Sequence, residues 1–65
     1  MYLDNGSAID RLAMLLDDEA LGRSLDEGEV ISLARDVTRI VPELSSFMMR
    51  VIDRMKARQA RIQAA

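Results

Sequence analysis

The fold is decided by residues 30–51, VISLARDVTRIVPELSSFMMRV. Large apolar residues recur in this segment with alternating spacings of three and four, the repeat of helices that pack side by side. No strand pattern competes, because the β-branched residues of the segment keep the helical period on both sides. The chain is therefore expected to be all-α. The members of this heptad series are Val30, Leu33, Val37, Ile40, Leu44, Phe47 and Val51.

Pro42 interrupts the series and leaves two arrangements open. A proline is harmless at the first position of a helix, which favours one helix ending near Ile40 and another beginning at Pro42. The alternative is one long helix that is kinked at Pro42 at a cost of about 3 kcal/mol. The apolar register continues across the proline, which favours the kink. We therefore expect a helical hairpin or a three-helix chain, whose long second arm is kinked or broken near Pro42.

Capping signals indicate where the helices begin and end. Ser7 and Asp10 resemble a capping box, and Ser24 with Glu27 matches the S-x-x-E pattern of the box proper. Gly22 fits the left-handed position that ends many helices. The chain is expected to form a single domain. Its predicted helices span about residues 7–21, 25–41 and 42–62, the last two being continuous in the kinked alternative.

A chain of 65 residues has little core of its own. It contains no Cys and no His, so disulfides and the common zinc and haem ligand sets are excluded. Small domains without these supports use oligomerisation, a partner protein or unusually good helix packing. A first helix of about 22 Å is too short to cover a straight second arm of about 57 Å. We therefore expect two chains to assemble as a dimeric helical bundle.

Charge is divided unevenly along the chain. Residues 1–30 hold eight acidic and two basic residues, a net charge of −6, whereas residues 50–65 hold five basic residues and one acidic residue, a net charge of +4. These two segments can attract each other, within one chain or between two. The net charge of the whole chain is −2, which gives no general attraction to nucleic acid or anionic lipid.

The sequence lacks the residue sets of catalytic and cofactor sites. No His is present to activate a serine, the three glycines are too scattered to cradle a phosphate, and the acidic clusters lack the spacing of a calcium loop. We expect no enzyme activity, no cofactor, no metal and no small-molecule substrate. No apolar run approaches the about 20 residues of a membrane span, and no signal peptide is visible. A cytoplasmic protein is therefore expected, and the excess of Arg over Lys suggests GC-rich coding and a bacterial or phage source.

Two surfaces of the last helix are candidate binding sites. A broad apolar stripe rich in methionine suits irregular partner surfaces. Arginines four residues apart form a basic face that would orient an acidic partner or contact phosphates. The apolar candidates for partner or dimer contact are Leu44, Phe47, Met48, Val51, Ile52 and Met55. The charged candidates are Arg50, Arg54, Lys56, Arg58 and Arg61.

These surfaces favour a non-enzymatic regulatory or adaptor protein of the inhibitor, anti-activator or scaffold type. It would bind another protein through a helical apolar face and form a homodimer. The alternative is a nucleic-acid-binding regulator that uses the basic C-terminal helix, although the overall acidity and the lack of a base-reading Asn count against it. The third hypothesis is a structural subunit that folds only within a larger assembly.

Overall fold

Residues 5–64 form three α-helices and one short 3₁₀ turn. The structure is a computed structural model that describes the backbone of residues 5–64 and the side chains of residues 7–61. Helix α1 spans Asn5–Ala20, α2 spans Glu27–Ile40, the 3₁₀ turn spans Pro42–Leu44 and α3 spans Ser45–Ala64. No strand occurs among residues 5–64. The prediction of an all-α chain is confirmed.

Gly22 ends α1, as its place in the sequence predicts. Its φ of 76° lies in the left-handed region that favours glycine. The backbone N–H of Gly22 donates to the carbonyl of Glu19 at 3.1 Å, and that of Arg23 donates to the carbonyl of Asp18 at 2.8 Å. These two bonds form a Schellman motif, which satisfies carbonyls at the end of the helix. An ion pair between Arg23 and Asp18, at 3.5 Å, lies across the same turn.

The N-terminal caps predicted from the sequence are wrong. Helix α1 already includes Ser7, which therefore does not cap it. Helix α2 is capped by Asp26, whose backbone is extended and whose carboxylate accepts a hydrogen bond from the N–H of Glu29 at 3.3 Å. Asp caps a helix about as well as Ser. Because Asp26 directly precedes the first helical residue, it takes the position that the pattern assigns to Ser24.

The chain breaks at Val41 and Pro42. Val41 has φ −128° and ψ 83°, outside the helical region, and its N–H closes α2 by donating to the carbonyl of Val37 at 2.7 Å. Pro42 then opens the 3₁₀ turn, where its missing N–H removes no helical bond. Helix α3 folds back and packs against α2. Of the two arrangements left open by the sequence, the structure has the chain of three helices.

The core is built around α2, which packs against both α1 and α3. Within the described residues, no Cα atom of α1 lies within 8 Å of a Cα atom of α3. All three helices nevertheless contribute to one cluster of nine buried hydrophobic residues. These residues are Leu12, Leu15, Val30, Ile31, Ala34, Val37, Met48, Val51 and Met55.

In α2 the members of the heptad series are buried or partly buried, whereas of the three members after Pro42 only Val51 is buried. Val30 and Val37 are buried, whereas Phe47 is 45% exposed and its neighbour Met48 is only 3% exposed. The non-helical Val41 and the tighter 3₁₀ turn rotate the chain before α3 begins. The buried face of α3 consequently consists of Met48, Val51 and Met55.

Met55→Ala is expected to remove most of the stability of the chain. Met55 is fully buried, and truncation of a buried Met costs about 2–5 kcal/mol, against a net stability of at most about 3–5 kcal/mol for so small a core. Met49→Ala makes the same change at a side chain that is 63% exposed and should cost less than about 0.5 kcal/mol. Urea unfolding followed by circular dichroism compares the two variants. Equal losses at both positions would contradict the described core.

Candidate functional site

The structure divides the six apolar candidates between the core and the surface. Three of them are buried in the core of their own chain, so a dimer built on them would require the bundle to open. Ile52 is partly buried against this core. Leu44 and Phe47 remain exposed, at 39% and 45%. The three buried candidates are Met48, Val51 and Met55.

Two of the basic candidates form ion pairs within the chain. Arg54 donates from Nε and Nη2 to the two carboxylate oxygens of Glu19 at 2.6 and 2.9 Å. Arg58 donates from Nε to Glu27 at 3.1 Å. The side chains of Glu19 and Glu27 are only 14% and 12% exposed. The acidic first part of the sequence and its basic last part therefore attract each other within one chain.

A third ion pair completes a set that joins every pair of helices. Arg11 donates from Nε and Nη2 to Glu29 at 2.9 and 3.2 Å, which links α1 to α2. The pair of Arg54 links α3 to α1, and that of Arg58 links α3 to α2. Hydrogen bonding to the facing carboxylate raises the pKa of Arg11 and of Arg54. Each of these two pairs thus favours the charged form of its arginine.

The remaining basic candidates do not form one continuous face. Arg50, Lys56 and Arg61 are exposed, and the described side chains offer them no ion-pair partner. Arg50 and Arg61 are eleven residues apart and share a side of α3, whereas Lys56 lies about 120° from Arg50 and about 140° from Arg61 around the helix. Fewer basic side chains of α3 are thus available on one face for contact with phosphates than the sequence alone indicates.

An open groove of about 460 Å³ lies between α2 and α3. Helix α2 supplies mostly polar and charged side chains to it, and α3 supplies two apolar side chains. We call it the α2–α3 groove and define it by its lining. The lining residues are Ser32, Arg35, Asp36, Thr38, Arg39, Met49 and Ile52.

The α2–α3 groove combines an apolar wall with a basic rim. Ile52 packs partly against the core, and Met49 is 63% exposed beside it. Arg35 and Arg39 are exposed on α2, four residues apart and hence on one side of that helix. Arg39 pairs with Asp36, whereas Arg35 has no carboxylate partner among the described side chains. The groove can therefore accept an apolar helical face that brings its own carboxylate.

Sequence reasoning found Ile52 but missed the other main residues of this groove. If Pro42 starts a new helical phase, Met48 takes a core position. Met49 is the next residue, so its side chain points 100° further around α3, away from the core. Arg35 and Arg39 are visible in the sequence as a pair four residues apart. Only the reversal of α3 places that pair beside an apolar wall.

Neither a metal-binding group nor a membrane-spanning helix occurs in the part of the chain that the structure describes. Among the described residues, no group of three or more carboxylates, histidines or cysteines is arranged to hold a metal ion. None of the described helices has the combination of length and apolar composition that crossing a membrane requires. Comparisons with models of known protein families, with curated proteins and with solved structures find no match.

A double-mutant cycle on Glu19 and Arg54 is expected to give a coupling energy of about 1 kcal/mol, the upper end for pairs open to solvent. The pair is bidentate and its carboxylate is shielded, which favours this value. Glu19→Gln, Arg54→Gln and the double variant are compared by urea unfolding. The control is the pair of Asp18 and Arg23, whose arginine is 67% exposed and whose coupling should be below about 0.3 kcal/mol. If the coupling energy of Glu19 with Arg54 equals that of Asp18 with Arg23, the bidentate pair does not join α1 to α3.

Proposed function

We propose that this chain is a non-enzymatic adaptor that binds an amphipathic helix of another polypeptide in the α2–α3 groove. The observation that carries the proposal is the presence, in one groove, of the exposed Met49 and of Arg35, which lacks a carboxylate partner among the described side chains. Methionine adapts to irregular apolar surfaces and is common in grooves that bind helices. A carboxylate on the incoming helix would form an ion pair with Arg35.

The dimensions of the groove suit recognition of a helix. The part of α2 that lines the groove, residues 32–39, rises by about 10 Å, which corresponds to about two turns of a partner helix. Partner side chains three and four residues apart would reach Met49 and Ile52, and acidic residues beside them would face Arg35 and Arg39. These rim charges would set orientation and association rate more than affinity. Occupation of the groove covers one face of the partner, as an inhibitor, anti-activator or scaffold requires.

The other two hypotheses have less support. Arg54 and Arg58 are engaged by Glu19 and Glu27, and contact with phosphates would break these pairs, which disfavours a nucleic-acid-binding regulator. The chain buries nine hydrophobic residues by itself, which disfavours a subunit that folds only within a larger assembly.

Two synthetic amphipathic helices test the proposal. Each has about 18 residues, long enough to hold helical structure, and the same leucine stripe. One carries Glu beside the stripe and the other carries Lys. The acidic helix is expected to bind at least about tenfold more tightly, a difference of about 1.4 kcal/mol, because Arg35 and Arg39 attract the first and repel the second. Titration of the labelled full chain, followed by amide NMR shifts, measures affinity and maps the site.

Met49→Glu and Met14→Glu form a matched pair of controls for this titration. The two side chains are 63% and 61% exposed, but only Met49 lines the groove. Met49→Glu should abolish binding of the acidic helix, and Met14→Glu should leave it unchanged. Equal affinity for the two synthetic helices, or shifts that map away from the groove, would contradict the proposed function.

A further inference from the structure

We infer that the α2–α3 groove, when no other partner occupies it, takes helix α1 of a second copy of this chain. The inference rests on the proposed function because it uses the same groove. Met14 on the outer face of α1 and Leu21, the residue that directly follows this helix, are 61% and 67% exposed. Asp10 precedes Met14, Asp17 lies between Met14 and Leu21, and both aspartates are exposed. The four residues follow one another at spacings of three and four, which place them on one side of the helix. We call Asp10, Met14, Asp17 and Leu21 the α1 stripe.

The α1 stripe and the α2–α3 groove face opposite directions. Met14 lies two residues after the buried Leu12, about 200° around α1, so the stripe points away from the core. On α3, Ile52 lies two residues before Arg54, which reaches towards α1, so the groove is on the side of α3 away from α1. The stripe of one molecule therefore cannot enter the groove of the same molecule.

The stripe matches the groove in chemistry. Its two apolar side chains would face Met49 and Ile52. One of its carboxylates would pair with Arg35, and the other would share Arg39 with Asp36. Neither carboxylate has a cationic partner among the described side chains. The stripe rises by about 16 Å, so it would cover the part of α2 that lines the groove, residues 32–39, which rises by about 10 Å, and would extend beyond it. The chain thus carries on α1 the acidic amphipathic helix that its own groove suits.

The resulting assembly is head-to-tail. Stripe and groove are different surfaces of one molecule, so each copy uses its groove for one neighbour and its stripe for the next. Such a series continues as a filament or closes as a ring. A contact made by one helix face is small and weak, so it forms where the chain is concentrated. Self-assembly then competes with a foreign helix for the groove, which couples partner binding to the concentration of the chain.

Sedimentation equilibrium of the full chain up to about 1 mM, the weak end of the affinity scale, tests the inference. The average mass is expected to rise continuously with concentration, without a plateau at two chains. Added salt should lower the average mass, because it screens the exposed charges that attract one copy to the next.

Two charge-reversed variants make the test specific. Arg35→Glu with Arg39→Glu gives an acidic groove opposite an acidic stripe, and Asp10→Arg with Asp17→Arg gives a basic stripe opposite a basic groove. Each variant alone should remain monomeric. An equimolar mixture should assemble again, because every contact then joins opposite charges. Recovery in the mixture also shows that both variants are folded. A mixture that stays monomeric while the wild-type chain assembles would overturn the pairing of stripe with groove.

Met14→Glu separates this inference from the proposed function. It should abolish self-assembly and leave binding of the acidic synthetic helix intact. A wild-type chain that stays monomeric but binds the acidic helix overturns the inference alone. A wild-type chain that does neither overturns both. Assembly that persists in Met14→Glu overturns the inference, because the copies then associate through another surface.

Discussion

The reversal of the chain at Val41 and Pro42 is the constraint on which the rest of the structure depends. It brings α3 back along α2, so that α2 is covered on both flanks. In a continuous helix the apolar side chains of α3 would extend beyond the reach of α1 and would need a second chain to cover them. The reversal instead buries Met48, Val51 and Met55 in the same molecule. Their burial is worth about 25 cal/mol for each Å² of apolar surface removed from water, and it offsets the helical hydrogen bonds lost at the break.

The three arginine–glutamate pairs determine how the helices face one another. Each pair joins a different two helices, and the pair of Glu19 and Arg54 bridges α1 and α3, whose backbones do not come close. Pairs open to solvent add little to stability, so the free energy of folding comes mainly from the buried core. Two of the pairs match acidic positions of α1 and α2 to basic positions of α3, and the third matches Arg11 of α1 to Glu29 of α2. They also relieve the repulsion between arginines four residues apart along α3.

The helical class and the end of α1 at Gly22 follow from the sequence, because each depends on local chemistry. The helix start after Ile40 is one of the two arrangements that the sequence leaves open. The cap of α2 was misplaced because Ser24 and Asp26 both offer a suitable oxygen, and the pattern does not say which lies next to the first turn. The attraction between the acidic and basic segments was predictable, but whether it acts within one chain depends on how the chain turns at Pro42. The groove could not be predicted, since Arg35 and Met49 become neighbours only after that turn. Ile52 was found because it belongs to the apolar stripe in either phase of α3.

The central claim, that a single chain folds back on itself, can be measured directly because the sequence has no cysteine. Ser24→Cys and Arg61→Cys introduce dyes at two exposed positions, and single-molecule energy transfer then reports the distance within one chain. The ion pair of Glu27 and Arg58 places the two labelled positions side by side, across the about 10 Å that separates packed helices. Near-complete energy transfer between the two dyes is expected if the chain folds back. A separation of about 55 Å, the rise of a continuous helix between these positions, would contradict it.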